Sequence, residues 1–335
     1  MKKNHAILFI LFIFINVSCK TNKKDELIKF SGLAQGTTYS ISYIDKEGRN
    51  FQHEIDSILK KFDQSVSIYD STSLISKINK TKEPQKTDFY FNEIFKFSQT
   101  VSEQTNGAFD VTVGPLVNAF GFGFKNKENI SKQLIDSLKQ FVNYNEVKID
   151  NGFLIKSKPE ISIDFNAIAQ GYSVDVISEF LTNKGIDNHI VEIGGEVIAK
   201  GRKENNTCWK VGIEKPVDNN TDRELIVSFE IENKALATSG NYRKFYIENG
   251  IRYSHTIDPA TGYPVNHSLL SVSVLAERCA YADAYATAFM VMGLEKSKIF
   301  LEKHKELEAY FIYSDSLGEN KTFETEGFKK IFNIE

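Results

Sequence analysis

The sequence predicts an α+β fold in which mostly antiparallel sheets are flanked by helices. Segments with the helical spacing of apolar residues dominate the first half of the chain, and alternating, strand-like segments dominate the second half. Two Asn-Gly pairs, at residues 151–152 and 249–250, indicate tight hairpin turns. Separate runs of helices and of strands favour α+β over a doubly wound parallel sheet.

The predicted helices follow from apolar periodicity and from capping residues. Residues 51–67 repeat apolar side chains at helical spacing, and Asp70 is a candidate N-cap for a second helix. The next helix, over residues 88–105, ends at Asn106-Gly107. Further helices are predicted over residues 131–142, 167–185, 279–293 and 294–305.

The predicted strands follow from the alternation of apolar and polar residues. Residues 30–44 read as one strand. Further strand-like segments lie at residues 146–158 (a hairpin), at residues 160–165, over most of residues 188–277 and at residues 307–314. No Pro-, Gly- or Ser-rich linker divides residues 30–335, so we expect one compact unit there and leave open whether it has two lobes.

Composition and charge exclude one broad class of function. The chain has 335 residues, of which 41% are hydrophobic and 25% are charged, as in an ordinary globular protein. Its formal net charge is −3, so it lacks the positive charge with which general nucleic-acid binders hold phosphates. We therefore expect no nucleic-acid partner. Cys208 and Cys279 lack a metal-ligand spacing, and whether they pair is left open.

The N-terminus predicts export and a lipid anchor. Two lysines precede an apolar run over residues 6–15, which small residues and Cys19 follow, as in a bacterial lipoprotein signal. We predict a signal peptide over residues 1–18, lipidation at Cys19 and a lipidated tether over residues 19–29. Secretion without a lipid is the alternative. The expected location is the bacterial cell envelope, with the protein anchored to a membrane and facing the periplasm.

Asp283 and Thr287 form the first candidate site. They lie four residues apart, so they share one face of the predicted helix over residues 279–293. Carboxylate and hydroxyl oxygens are the ligands that Mg²⁺ and Ca²⁺ prefer. The rest of that helix is apolar, which indicates burial, and a buried carboxylate requires a partner or a metal. A surface pair that forms only a hydrogen bond is the alternative.

The junction at residues 164–170 is the second candidate site. Asp164 ends a predicted strand and a helix begins near Asn166 or Ala167, where backbone amides and carbonyls lack helical partners. Such a junction can bind an anion through its amides or a cation through its carbonyls. The alternative is that Asp164 or Asn166 is only an N-cap. Gln170 lies on the helix that follows.

Glycine-rich aromatic loops and a histidine complete the inventory. Residues 105–124 contain Asp110 and suit either a site for a flat ring or a core loop, while their single G-x-G is not a dinucleotide fingerprint. His255 is suited to proton transfer, although a lone histidine is more often structural. Ser239 lacks a G-x-S-x-G context, which argues against a serine hydrolase. The whole set favours Mg²⁺-assisted chemistry on a phosphate ester with an aromatic carrier.

Eight motifs, in order, make the chain similar to the ApbE family, the FAD:protein FMN transferases, from about residue 30 to residue 330. They are GTTY, YDSTSLISKIN, GAFDVTVGPLVNAFGFG, IDFNAIAQGYSVD, VEIGGEV, ALATSGNYR, YSHTIDPATGYPV and ADAYATAFMVMG. The resemblance implies a T-fold-like α+β fold, FAD as the substrate and Mg²⁺ as the cofactor. It implies transfer of FMN to a threonine or serine hydroxyl of a partner protein, with release of AMP. Partners of the family are subunits of membrane redox complexes, of the Rnf type or of sodium-pumping NADH:quinone reductases.

The resemblance also implies roles for individual residues. It places the metal on Asp283, Thr287 and the main-chain carbonyl of Ala167, so that Asp283 takes part in catalysis through the metal. It assigns the catalytic role of a general base to His255. Asp258 either orients His255 or caps the DPATG turn, and both roles remain open.

The FAD contacts that the resemblance implies are spread along the chain. They fall on Gln35, Tyr69, Ala108, Phe109, Asp110, Asp164, Gln170 and Ile257. Two positions depart from the family pattern. Gln170 stands where many members have Lys or Glu, and Ala286 stands where some have a second aspartate in the metal site.

Two other functions use the same residues. One is a pyrophosphatase that hydrolyses FAD to FMN and AMP, with water in place of the acceptor protein. The other is a lipoprotein that binds FAD without chemistry, although a carrier has little need for a metal at the pyrophosphate.

Overall fold

The computed structural model describes residues 26–123, 128–216, 224–241, 245–248 and 251–332. The predicted signal peptide, Cys19, most of the tether and the Asn249-Gly250 turn lie outside these residues. The described helices are α1 Gln52–Val66, α2 Leu74–Lys80, α3 Phe89–Gln104, α4 Gly114–Ala119, α5 Lys132–Lys139, α6 Ala169–Asn183, α7 Cys279–Met292, α8 Leu294–Lys303 and α9 Glu326–Phe332.

The described strands follow the expected distribution, since most come after the first five helices. They are β1 Glu26–Ala34, β2 Thr37–Asp45, β3 Gln85–Lys86, β4 Val147–Asp150, β5 Phe153–Lys156, β6 His189–Ile193, β7 Glu196–Lys200, β8 Trp209–Glu214, β9 Leu225–Ile231, β10 Lys234–Gly240, β11 Phe245–Glu248, β12 Ile251–Ser254, β13 Leu269–Ala276, β14 Glu308–Ser314 and β15 Asn320–Glu324. In the described part of the chain, no helix has the length and apolar character needed to cross a bilayer.

An eight-stranded antiparallel sheet is the centre of the fold. Its strands lie in the order β1-β2-β6-β7-β10-β13-β14-β15, and every neighbouring pair is antiparallel. The α+β prediction is therefore confirmed. Helices α6 and α7 pack on one face of this sheet, and the β8–β9 hairpin together with α9 covers apolar residues of the other face.

Helix α7 is the most deeply buried helix that carries predicted site residues. It is apolar on nearly all sides, and Ala282, Ala284, Ala286 and Ala288 are completely buried. A helix that is apolar all round packs inside a protein. It lies between the sheet and the helices α3 and α6, so any polar side chain on it needs a specific partner.

The segment predicted as one strand over residues 30–44 is a hairpin instead. Strands β1 and β2 are joined by a two-residue turn in which Gln35 has φ 54° and Gly36 has φ 73°. Both residues of such a turn need positive φ, and glutamine at the first position gives no turn signal in the sequence. Strand β1 also begins at Glu26, so its first four residues overlap the predicted tether.

Residues 160–165 belong to no strand, which corrects the sequence prediction: residue 160 lies in a turn, and residues 161–165 have no regular secondary structure. The N–H of Ile163 donates to Asn79 Oδ1, and Asn79 Nδ2 donates to the carbonyl of Ile163, both at 2.8 Å. One side-chain amide thus replaces a neighbouring strand.

The start of α6 and the end of the chain also differ from the prediction. Helix α6 begins at Ala169, later than the predicted start near residue 166 or 167. At the other end of the chain, β15 and α9 follow the strand predicted to be last.

Two other local predictions are confirmed, whereas the N-cap of α2 is Ser73 and not the predicted Asp70. The hairpin at Asn151-Gly152 forms with positive φ at both residues, and β3 extends it to a three-stranded sheet. The helix before Asn106-Gly107 ends as expected. Cys208 and Cys279 are free thiols.

His189 is a buried histidine on β6 that remains neutral. Its side chain is inaccessible to solvent, Nδ1 lies 3.0 Å from the carbonyl oxygen of Ile186, and Nε2 lies 2.8 Å from Ser178 Oγ. Since a carbonyl only accepts, Nδ1 carries the proton and the Ser178 hydroxyl donates to Nε2. Burial lowers the pKa of His189 to about 4, because the charged form loses its hydration.

We expect His189 to make the protein less stable in acid. Its pKa is depressed in the folded state, so the unfolded chain binds a proton first as the pH falls from about 6.5 to 4. The free energy of unfolding should fall by roughly 3 kcal/mol across that window. Urea unfolding of His189→Asn should show a shallower acid loss than the unsubstituted protein. Equal pH slopes in the two proteins would contradict the assignment.

Candidate functional site

The contact between α6 and α7 forms the centre of the candidate site. The backbone N–H of Gly171 donates to Asp283 Oδ2 at 3.0 Å. A Cβ atom on Gly171 would lie 2.5 Å from the carbonyl oxygen of Cys279 and 2.7 Å from the Cβ of Asp283. Only glycine therefore allows the two helices to approach this closely.

The same hydrogen bond changes the start of α6. In a regular helix the N–H of Gly171 would donate to the carbonyl of Ala167, four residues earlier. Here it donates to Asp283, and within the described residues no backbone donor takes its place at Ala167. The Ala167 carbonyl, which the resemblance implies as a metal ligand, is thus available beside the carboxylate.

Asp283 is a buried carboxylate whose partners suit a cation. It is 8% exposed, and burial raises its pKa to about 7, against the lowering effect of the Gly171 N–H. No salt bridge joins it to a described basic residue. On the next turn of α7, Thr287 Oγ1 lies 3.1 Å from Ser239 Oγ on β10.

These donors fit a hard divalent cation. They are one carboxylate, two hydroxyls and a backbone carbonyl, all of them oxygen atoms, and Mg²⁺ and Ca²⁺ prefer oxygen ligands. The described residues contain no cluster of three His, Cys, Asp or Glu side chains that could hold a metal. A cation at this site would therefore have a single carboxylate ligand and complete its shell with neutral oxygens.

Asp164 and Tyr69 lie close together near the N-terminus of α6. Asp164 is 9% exposed and accepts the N–H of Asn166 at 2.8 Å, and burial raises its pKa to about 6. Asn166 Nδ2 lies 3.4 Å from the hydroxyl of Tyr69, whose side chain is 64% exposed. An exposed aromatic ring beside a polar junction is suited to stacking on a flat ligand.

The side chain of Asp110 is occupied by its own loop. It accepts the N–H and the hydroxyl of Thr112, at 2.7 and 2.6 Å, and the N–H of Tyr144 at 3.0 Å. Phe109 is buried in the largest apolar cluster, whereas Ala108 is half-buried. These bonds give Asp110 a structural role in the loop, and its predicted contact with FAD stays a prediction.

Gln35 and Gln170 both contact Ser173, near the start of α6, where the β1–β2 and β6–β7 turns lie. The hydroxyl of Ser173 lies 3.3 Å from Gln35 Oε1 and 2.7 Å from the carbonyl oxygen of Gln170. The amide of Gln170 packs on Gly194 in the β6–β7 turn, where a Cβ would lie 2.3 Å from Nε2. The structure thus brings these two predicted residues together.

His255 and Ile257 lie beside α4 and the turn that follows it. Ile257 is buried with Leu116 and Phe120, and the His255 ring centroid lies 6.3 Å from that of Phe122. Asp258 Oδ1 accepts the N–H of Ala260 at 2.8 Å. Of the two roles left open for Asp258, this bond supports the cap of the turn.

The sequence alone does not reveal two contributors to the contact around Asp283 and Thr287, namely Gly171 and Ser239. Gly171 acts through its backbone N–H and through the absence of a side chain, and neither has a signature beyond the letter G. Strand periodicity does not reveal that Ser239 faces Thr287, so the sequence suggests only the role of a nucleophile for it. Arg243, in the same motif, lies outside the described residues.

Comparisons with known proteins agree on one family. The ApbE family model matches residues 35–311. The FAD:protein FMN transferase of Vibrio cholerae is 37% identical over 292 residues, which cover 84% of this chain and 86% of that protein. The enzyme of the same name from Haemophilus influenzae is 33% identical over 92% of both chains.

Solved structures give the same result. The apo form of the Pseudomonas stutzeri flavinyl transferase ApbE superposes with a TM-score of 0.84 at 31% identity, covering 93% of this chain and 98% of that one. The flavin transferase ApbE of Vibrio cholerae gives a TM-score of 0.82 at 34% identity, covering 92% and 99%.

We expect Gly171→Ala to destabilise the protein. In an ordinary helix interior this change stabilises by about 1 kcal/mol, whereas here the new methyl group meets the backbone of α7 and should cost about 1–3 kcal/mol. Urea unfolding measures the sign. Thr182→Ala, on an exposed position of the same helix, is the control and should change little. A more stable Gly171→Ala variant would show that the close approach is not required.

Proposed function

Since the chain belongs to the ApbE family of flavin transferases, we propose that it transfers the FMN part of FAD to a threonine or serine hydroxyl of a partner protein, with Mg²⁺ bound and with release of AMP. The chain is thus an enzyme that attaches a flavin to a protein. The supporting observation is the pairing of a buried Asp283 with an Ala167 carbonyl that has lost its helical donor.

In the proposed reaction, the acceptor hydroxyl attacks the phosphorus on the FMN side of the FAD pyrophosphate. A new P–O bond forms to the protein, and the bond between that phosphorus and the bridging oxygen breaks, so AMP leaves with that oxygen. A ring nitrogen of His255 takes the proton of the acceptor hydroxyl. The rings of Phe122 and His255 meet edge to face, with their centroids 6.3 Å apart.

Asp283, Thr287 and the Ala167 carbonyl are the residues that would hold Mg²⁺. The bound ion would neutralise charge on the pyrophosphate oxygens. The Gly171 N–H fixes one oxygen of Asp283, so the carboxylate is oriented before the ion arrives. Ser239 adds a hydroxyl beside Thr287 and can orient it.

The proposed flavin site runs from Tyr69 along the entrance to α6. The exposed Tyr69 ring is suited to stacking on the isoalloxazine, and Asp164 lies next to it. The remaining contacts that we propose for FAD are with Gln35, Ala108, Phe109, Asp110, Gln170 and Ile257.

We also propose where the enzyme works and on what. Lipidation at Cys19 would hold it at a membrane of the cell envelope, facing the periplasm. Acceptors there would be subunits of membrane redox complexes, of the Rnf type or of sodium-pumping NADH:quinone reductases. The lipoprotein-type N-terminus and the family membership support this location.

Mass spectrometry of an acceptor protein incubated with the enzyme, FAD and Mg²⁺ tests the proposal. We expect the acceptor to gain the mass of one FMN and AMP to appear in equal amount. Release of AMP without any gain on the acceptor would identify a pyrophosphatase instead. FAD that stays intact throughout would identify a carrier.

Substitutions test the assigned roles in the same assay. His255→Ala should slow transfer by ~10²–10⁴-fold, the usual contribution of a general base. His53→Ala, at an exposed position of α1, is its control and should transfer at the normal rate. Full transfer by the His255 variant would remove the histidine from the mechanism.

A further inference from the structure

We propose that Asp175 is a positioning residue for the metal site. It holds the N-terminus of α7 against α6, and α7 carries Asp283 and Thr287. This inference rests on the proposed function, because it takes those two residues, with the Ala167 carbonyl, as ligands of a divalent cation.

Asp175 supplies the N-terminal cap that α7 lacks in its own sequence. Its Oδ1 accepts the N–H of Cys279 and its Oδ2 accepts the N–H of Ala280, both at 2.9 Å. The residue at the N-cap position of α7, Arg278, makes no side-chain cap. The first backbone N–H groups of a helix need such acceptors, and a carboxylate also interacts favourably with the helix dipole.

The geometry links this cap to the metal ligands. Asp175 lies four residues after Gly171 on α6, and Cys279 lies four residues before Asp283 on α7. Asp175 contacts Cys279, and Gly171 contacts Asp283, so the two helices are antiparallel and in step. One further step of four along each chain reaches Ala167 and Thr287. The cap therefore sets how far α7 can slide along α6, and with it the spacing of the ligands.

The cap is a buried charge with a basic partner. Asp175 is 1% exposed, and Arg278 Nε lies 3.4 Å from its Oδ2. Arg278 also contacts a second carboxylate, because its Nη2 lies 2.7 Å from Oε1 of the half-exposed Glu179. Glu179 thus shares the arginine, but its contact is with the Arg278 side chain and not with the backbone N–H groups that Asp175 caps. It provides a matched control.

The inference separates positioning from general stability. Asp175→Asn keeps the size of the side chain, but the amide accepts a hydrogen bond only through Oδ1. Its NH₂ group would face the other of the two N–H groups, those of Cys279 and Ala280, which the carboxylate caps together. The first turn of α7 must then move. A residue that only stabilises the fold would lower the unfolding midpoint and leave the metal affinity of the folded protein unchanged.

Mn²⁺ titrations followed by electron paramagnetic resonance test the inference without measuring transfer. They use full-length folded protein with FAD and no acceptor. We expect Asp283→Asn to lose the tight Mn²⁺ site, Asp175→Asn to bind Mn²⁺ about 10-fold more weakly, as outer-shell partners of metal ligands typically do, and Glu179→Gln to bind normally. If Asp175→Asn does not fold, Asp175→Glu keeps the charge, displaces the helix by one methylene and should show the same weakening.

The outcomes separate the two proposals. Normal Mn²⁺ binding by Asp283→Asn overturns the proposed metal site and this inference with it. Loss of the site in Asp283→Asn with normal binding by the Asp175 variant overturns the positioning role alone. Equal weakening by Asp175→Asn and Glu179→Gln also overturns it, because Arg278 would then be the common cause.

Discussion

The hydrogen bond from the Gly171 N–H to Asp283 is the interaction on which the candidate site depends. It fixes the orientation of a carboxylate that burial would otherwise disfavour. It also removes the donor that the Ala167 carbonyl would have in a regular helix. A single backbone N–H thus orients one candidate oxygen ligand and frees another, which lies 116 positions away in the chain. The absence of a side chain at Gly171 is the steric condition for both effects.

Three buried carboxylates follow the same rule. Asp164, Asp175 and Asp283 each accept backbone N–H groups at or just before the first turn of α6 or α7. Burying a carboxylate costs free energy unless its oxygens are hydrogen-bonded, and the first turn of a helix offers unpaired N–H groups. Among the described residues, Asp164 and Asp283 have no salt-bridge partner, whereas Arg278 balances the charge of Asp175. A buried carboxylate without a described basic partner suits a cation.

The pattern of side chains in the sequence predicts part of the candidate site, but it does not predict the roles of backbone groups. The four-residue spacing placed Asp283 and Thr287 on one helix face, and the apolar character of that helix predicted its burial. The carbonyl of Ala167 entered only through the resemblance, because every residue has a carbonyl. Glutamine rarely adopts positive φ, so the sequence does not indicate the turn at Gln35. Alternation predicts a strand over residues 160–165 because it does not reveal which groups accept their hydrogen bonds.

The amide of Asn79 has a consequence for how the protein folds. It joins residues 84 positions apart, and the contacts between α6 and α7 span 104 to 112 positions. Closing such long loops costs chain entropy before any contact repays it, and non-local contacts slow folding. The hairpin of β1 and β2 needs no such closure. The residues of the candidate site are therefore expected to come together late in folding, after the local elements that surround them have formed.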